Sequence, residues 1–206
     1  MVAPGSARRT VPAPGRPCSS HGGRDPPAMI DFLGYNISDH VVHARIEFAS
    51  QRLVDVLVSE STVEGREIRS RSLATSLVTH PQATTINLAE MAVVVATGPR
   101  GSDLMRIRTI ASPVTIYAGP YVAHGFLHAP LYESPLPYSE HRTWLPLTEA
   151  VLEYTFRWQA VRERHDTLLV NRAHARAVVL TDERSHEARW LAGGTPIDWP
   201  NTRDRL

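Results

Sequence analysis

Two stretches of this chain share a pattern of residues, and this internal duplication is the strongest constraint on its fold. Residues 86–97 align with residues 170–181, because an apolar residue and Asn open each stretch and Val-Val-x-Thr closes it. Upstream, residues 43–46 (His-Ala-Arg-Ile) align with residues 124–127 (His-Gly-Phe-Leu). The His-to-Asn separation is 44 residues in the first copy and 47 in the second, so a three-residue insertion reconciles them. The pattern predicts two related structural units.

Alternating hydrophobicity predicts that the body of the chain is mostly β. Between residues 150 and 160 every even position is apolar, whereas four of the five odd positions are polar. This period of two is typical of a strand and leaves open a hairpin within the segment. Further strands are predicted at 41–49, 86–88, 91–96, 104–110, 114–117, 121–129, 168–170 and 175–180, with a helical turn at 52–57. Short strands between frequent turn signals predict a mainly β fold of two small β-barrel-like units with little helix.

Composition divides the chain into four segments. Residues 1–28 are rich in Pro, Gly, Ser and Arg, which predicts a disordered leader; alternatively, translation starts at Met29. A Gly-Pro-rich stretch at 98–102 separates a first β unit, residues 29–99, from a second, residues 103–182. The two units are either separate domains or halves of one. The polar residues 183–206 are predicted to form an irregular tail.

Charge and cysteine content limit the classes of partner and compartment. All 22 basic residues are arginines, which indicates either a GC-rich genome or selection for bidentate recognition of phosphate or carboxylate. The leader holds four of them and one of the 21 acids, which leaves the body with 18 arginines, 20 acids and a formal net charge of −2. This balance argues against a broad phosphate-binding surface. Cys18 is the only cysteine, which fits a reducing cytoplasm, and the apolar runs are too short for a membrane helix.

The chain contains none of the common catalytic or cofactor motifs. We find no dinucleotide fingerprint, phosphate-binding loop, nucleophile elbow, zinc-protease motif or Cys-x-x-Cys pair, and therefore predict no catalytic residue, cofactor or metal. His124 and His128 would lie on one face of a strand but about 13 Å apart, too far to share an ion. We interpret them as surface or edge histidines, and His165-Asp166 as part of a turn.

Five residues are candidates for ligand binding. Arg66, Arg69 and Arg71 form a small basic cluster, and three glutamates are interleaved with them. The cluster is either a binding surface or a charged face whose members pair with one another. Asn87 and Asn171 hold equivalent positions in the duplication. They either contact a ligand or adopt a left-handed turn between strands while bonding their own backbone.

Three segments resemble parts of small bacterial β-barrel domains of the Sm-like and SH3-like type, which have no established activity. They are residues 52–57 (Arg-Leu-Val-Asp-Val-Leu), residues 144–150 (Trp-Leu-Pro-Leu-Thr-Glu-Ala) and the pattern that begins at Val170-Asn171. The likeness covers most of residues 40–181, but the first segment is clear only in copy one and the second only in copy two. The resemblance implies small barrels in tandem, and Sm-like barrels often bind RNA and assemble into rings.

Together these features predict a non-enzymatic bacterial interaction or regulatory protein. Its partner would be another protein or a second copy of itself, bound through exposed barrel edges. One alternative is an RNA- or DNA-binding protein that stacks bases on Trp144, Tyr154 or Trp158. A second alternative is a small enzyme without a recognisable motif, which predicts a cleft of titratable side chains with perturbed pKa values.

Overall fold

A computed structural model describes residues 28–48, 52–82, 84–97 and 108–195. These residues are mainly β, as the alternating pattern predicts. The predicted leader up to residue 27, the boundary at 98–102 and most of the predicted strand 104–110 lie outside the described residues.

The described residues form strands joined by three short α-helices and two 3-10 helices. The first half contains β1 (Ala28–Asn36), β2 (His40–Phe48), α1 (Leu53–Ser59), β3 (Thr62–Ser72), β4 (Val78–Thr79), β5 (Thr85–Asn87), a 3-10 helix (Leu88–Glu90) and β6 (Met91–Val95). The second half contains β7 (Thr109–Ala118), β8 (Tyr121–Pro130), α2 (Pro135–Glu140), β9 (Trp144–Phe156), β10 (Gln159–Asn171), a 3-10 helix (Arg172–His174), β11 (Ala175–Leu180) and α3 (Glu183–Ala192). The predicted helical turn at 52–57 is confirmed as α1.

The strands form one continuous antiparallel sheet. Their order is β11-β7-β8-β9-β10-β6-β1-β2-β3-β4, and β5 pairs with β3 beside this path. Strands β1 and β6, from the first half, are neighbours, and β6 also pairs with β10 from the second half. The two halves are therefore joined by main-chain hydrogen bonds between β6 and β10.

The predicted strand at 150–160 is a hairpin. Strand β9 turns into β10 through Arg157 and Trp158, whose φ angles are 47° and 66°. Leu152 and Tyr154 are buried as the alternation predicts, but Trp158 is 87% exposed. The alternation predicts Trp158 on the same apolar face as Leu152 and Tyr154, and this prediction is wrong because the chain reverses direction at that residue.

Irregular positions bend the long strands in both halves. Glu67 in β3 and Glu149 in β9 have φ angles of 54° and 47°. The pairing of β2 with β3 shifts register after His43, and the pairing of β8 with β9 shifts after His124. Such bulges bend a strand and increase its twist, so the sheet can wrap around its apolar side chains.

The buried side chains form two clusters, and each contains residues from both halves. One cluster includes Tyr35 and Val93 from the first half together with Tyr154 from the second. The other includes Phe32 from the first half together with Trp144 from the second. Each half therefore completes the core of the other.

The C-terminal region differs from the prediction of an irregular tail over 183–206. Residues 183–192 form α3, and the Asp182 side chain accepts a hydrogen bond from the Ser185 amide at 2.8 Å. The sequence did not predict this helix because most of its residues are polar and show no apolar period. Trp190 is half-buried, whereas Trp199 lies outside the described residues.

Candidate functional site

The predicted arginine cluster lies along β3 and is largely paired with acids. Arg66 donates to Glu47 at 2.6 Å, and an Arg69 nitrogen lies 3.9 Å from a Glu67 oxygen. Burial, and secondarily Arg157, lower the pKa of Arg71. Beside Arg66 is a pocket of about 140 Å³ whose lining carries two arginines and two glutamates. These contacts match the reading of a mutually paired charged face.

Asn87 and Asn171 have equivalent roles in the backbone. Each begins a 3-10 helix, and its side chain accepts a hydrogen bond from the amide two residues later, Ala89 at 3.1 Å and Ala173 at 3.0 Å. The predicted bond to the local backbone is confirmed. The predicted left-handed conformation is wrong, since φ is −79° at Asn87 and −72° at Asn171. The turn is instead made by the short 3-10 helix, so the asparagine can remain extended.

The two asparagines differ in what their amide nitrogens bind. Asn87 Nδ2 donates to Glu90 at 3.0 Å, within its own half. Asn171 Nδ2 donates to the Met91 carbonyl at 3.0 Å, across the junction between the halves. Asn171 is buried in this contact. The structure thus places Asn171 in a contact between strands, apart from the arginines.

The junction between the halves combines polar and apolar contacts around Asn171. Its centre is the register of β10 on β6, in which Leu168, Leu169 and Val170 pair with Val95, Val94 and Val93. The Ala96 amide continues the pairing by donating to the Thr167 carbonyl at 3.1 Å. At this junction one half binds the other through main-chain pairing.

Side chains extend the junction on both sides of the paired strands. The indole nitrogen of Trp144 donates to the Leu57 carbonyl at 2.9 Å, which fixes the end of α1 against the second half. His174 Nε2 lies 2.6 Å from the Ala89 carbonyl. Trp144 is 3% exposed, so its ring is an apolar anchor as well as a donor.

The junction also contains a buried carboxylate, that of Glu163. The Tyr35 hydroxyl, from β1, donates to Glu163 Oε2 at 2.7 Å, and the Tyr154 hydroxyl, from β9, donates to Oε1 at 2.7 Å. Glu163 is 1% exposed, and His165 Nε2 lies 3.4 Å from Oε2. Tyr121 packs edge-on against Tyr35 with ring centroids 5.5 Å apart.

This cluster is better suited to stabilising the fold than to acting on a substrate. Burial and the adjacent Glu163 raise the pKa values of Tyr35 and Tyr154, which keeps both hydroxyls protonated as donors. The carboxylate is closed off from solvent, since Glu163 is 1% exposed. Sequence reasoning missed Glu163 because it lies between two arginines, a pattern typical of a solvated surface.

The outer edge of β11 is equivalent to the edge of β6 that pairs with β10. Val93 and Val94 of β6 are fully buried, whereas at the equivalent positions of β11 Ala177 is exposed and Val178 is half-buried. The Thr181 amide donates to the Pro113 carbonyl of β7. Since successive amides of a strand alternate in direction, the Leu180 amide points away from β7. Among the described residues, no strand pairs with this outer edge of β11.

The predicted histidine positions are partly wrong. His124 is 4% exposed and lies 2.8 Å from the Thr115 hydroxyl, so it is not a surface residue. His165 is also buried and lies within β10, not in a turn. His128 is half-buried between two threonine hydroxyls. In the described part of the chain, no three His, Cys, Asp or Glu side chains are placed to hold a metal ion.

The three aromatics proposed to stack bases differ in exposure. Trp144 and Tyr154 are 3% and 4% exposed, and both hydrogen-bond within the junction. Their faces are therefore not accessible to a nucleotide. Trp158, at the tip of the β9–β10 hairpin, is 87% exposed and is the one member of this trio that could stack with a ligand.

Comparison with known proteins does not identify a relative of this chain. Neither the family models nor the curated proteins nor the solved structures include a match to this chain. Within the described residues, no helix has the length and apolar character needed to cross a bilayer.

Proposed function

We propose that this chain is a non-enzymatic interaction or regulatory protein of the bacterial cytoplasm, built from a duplicated β-barrel-like unit and acting through its strand edges. The observation that carries this proposal is the β6–β10 junction, where one half already binds the other by main-chain pairing. Strand addition of this kind gives affinity through the backbone and needs no reactive side chain.

Several local features support the duplication. The two halves share Asn-capped 3-10 helices at Asn87 and Asn171 and positive φ angles at Glu67 and Glu149. A short helix follows the second strand of each half, α1 in the first and α2 in the second. The two asparagines belong to the sequence match itself, whereas the 3-10 helices, the φ angles and the short helices are additional backbone features that the halves share.

The duplication indicates which strand would pair with the exposed edge of β11. If Asn87 and Asn171 mark equivalent positions, residues 177–179 correspond to Val93–Val95, and residues 84–86 correspond to Leu168–Val170. Residues 84–86 of one copy would then pair with residues 177–179 of the next. The contact is head-to-tail, so it generates closed rings or open chains. The partner is a second copy of this protein.

Light scattering during size-exclusion chromatography of the full chain, over a series of micromolar concentrations, tests self-association. We expect masses that are multiples of 22.9 kDa and that rise with concentration. Leu180→Pro removes the outward amide that corresponds to the Ala96 donor, and should weaken association roughly tenfold. Because edge strands tolerate proline, the variant should keep the circular dichroism spectrum of the wild type.

Leu180→Ala is the matched control, because alanine occupies the corresponding position 96 and keeps the amide. This variant should associate like the wild type. A single mass of 22.9 kDa at every concentration would refute the self-association. Equal weakening by alanine and proline would show that the Leu180 side chain, and not the strand edge, makes the contact.

A second candidate function is the binding of single-stranded nucleic acid, which the exposure of Trp158 favours. An exposed indole can stack on a base. A gel shift with mixed RNA and DNA oligonucleotides at low salt tests this function. We expect Trp158→Ala to weaken any shift; no shift with the wild type would eliminate the candidate.

A further inference from the structure

The segment that follows β11 folds back across the sheet, and we call residues 182–194 the strap. Its helix, α3, packs against β8 and β9. Beyond the helix, Gly194 forms an isolated parallel bridge with Glu163. The Arg164 amide donates to the Gly194 carbonyl at 2.9 Å, and the Gly194 amide donates to the Arg162 carbonyl at 3.0 Å. The strap therefore occupies the outer edge of the first part of β10.

Few side chains hold the strap in place. His186 is the only buried residue of α3, and its ring packs edge-on against Phe126 with centroids 4.4 Å apart. The Arg164 guanidinium lies 5.6 Å from the centroid of the Trp190 ring. Leu191, the other large apolar residue of the helix, is 72% exposed. Docking of α3 thus depends largely on one imidazole.

That imidazole is in an environment suited to its neutral form. Neither ring nitrogen of His186 has a hydrogen-bond partner, although the residue is 4% exposed. Burial lowers its pKa; Glu149 of β9 opposes this effect and Arg189 of α3 adds to it. On β8, burial together with Arg189, His186 and Arg162 lowers the pKa of His124 to about 4.

Another acid, Glu153, lies beside His124 and is already paired. Glu153 of β9 binds Arg162 at 2.9 Å and lies 3.5 Å from His124 Nε2. A proton added to His186 would therefore be opposed by Arg189 and by the nearby imidazole of His124, and Glu149 is the acid that would offset them. Undocking lets water solvate the imidazolium, so protonation favours the released strap.

We propose that the strap is an acid-released cover, which closes the β10 edge while His186 is neutral and opens when His186 is protonated. Opening exposes the Arg164 amide and the Arg162 carbonyl, a strand edge on which another strand can add. This edge is distinct from those of the proposed function and does not depend on it. The docking equilibrium falls by up to tenfold for each pH unit below about 6.5.

Hydrogen exchange measured by mass spectrometry on the full chain tests the cover. Exchange is followed at about pH 7.5 and about pH 5, a range in which free histidine titrates, and corrected for the intrinsic pH dependence. We expect protection of residues 183–194 and of the Arg164 amide to fall roughly 10- to 30-fold at the lower pH. Protection of residues 147–154, in the core of β9, should stay well above that of the strap at both pH values.

Two variants separate titration from packing. His186→Phe keeps a ring against Phe126 but cannot be protonated, so its strap should stay protected at both pH values. His80→Phe changes an exposed histidine away from the strap and should respond to acid like the wild type. Unchanged strap protection in the wild type would overturn the proposal, as would an equal loss in His186→Phe. A fall in the protection of residues 147–154 to the level of the strap would show global unfolding and would also overturn it.

Discussion

Removing the Tyr35 hydroxyl should destabilise the whole protein, because that group connects the two halves through Glu163. The bond joins residues 128 positions apart in the chain, at 2.7 Å and in a fully buried site. In Tyr35→Phe the ring stays in place and keeps its edge-on contact with Tyr121. The change in stability then reports on the hydroxyl.

The expected loss is about 2 kcal/mol, since a buried hydrogen bond to a charged group contributes roughly 1.5–3 kcal/mol. Tyr154→Phe removes the other 2.7 Å donor to the same carboxylate and should have a similar effect. The double variant should lose more than the sum of the two, because Glu163 then loses both hydroxyl donors while it remains buried. Domains of this size are stable by only about 5–15 kcal/mol, so that variant should be close to unfolding.

Urea unfolding followed by circular dichroism measures these free energies. Tyr132→Phe removes a hydroxyl from a residue that is 98% exposed, and should change stability by less than about 0.5 kcal/mol. A loss below that value in Tyr35→Phe would refute the reasoning, because the carboxylate would then not depend on a donor from the first half. Strictly additive losses would show that the two tyrosines act independently.

Two further changes should alter stability in opposite directions. Burial lowers the pKa values of His43 and His124 to about 4, so the unfolded chain takes up protons below about pH 6.5 while the folded chain does not. Stability is therefore full above that pH and should fall by roughly 1–3 kcal/mol at about pH 5, as a lower urea midpoint; a constant midpoint would contradict this prediction. In the opposite direction, Trp158→Gly should raise the free energy of unfolding by about 1 kcal/mol, because glycine adopts a φ of 66° without strain. Trp158→Ala should give no such gain, and equal gains in both variants would attribute the effect to removal of the indole.

The sequence predicted features that depend on neighbouring residues along the chain. Alternation found the buried face of β9 at Leu152 and Tyr154, and the helical turn predicted at 52–57 overlaps α1. The Asn-containing pattern located both 3-10 helices, although it suggested the wrong backbone conformation. Each of these signals reflects a period or a local hydrogen bond, which one chain segment can express by itself.

Features that depend on distant segments were not predicted. Glu163 carries no local sign of burial, because its partners Tyr35 and Tyr154 come from β1 and β9. Trp144 is buried because α1 of the other half covers it. The strap helix is polar and is positioned by contact with Phe126 of β8. Only the assembled sheet brings these groups together.

The β6–β10 junction also bears on how the protein is made. Strand β6 ends at Val95, but its partners Leu168–Val170 emerge from the ribosome more than seventy residues later. Until then the fully buried residues Val93 and Val94 belong to an uncovered strand edge, a common starting point for aggregation. Pairing at such long sequence separation also slows folding. The nascent first half would therefore need protection until its own second half arrives to complete it.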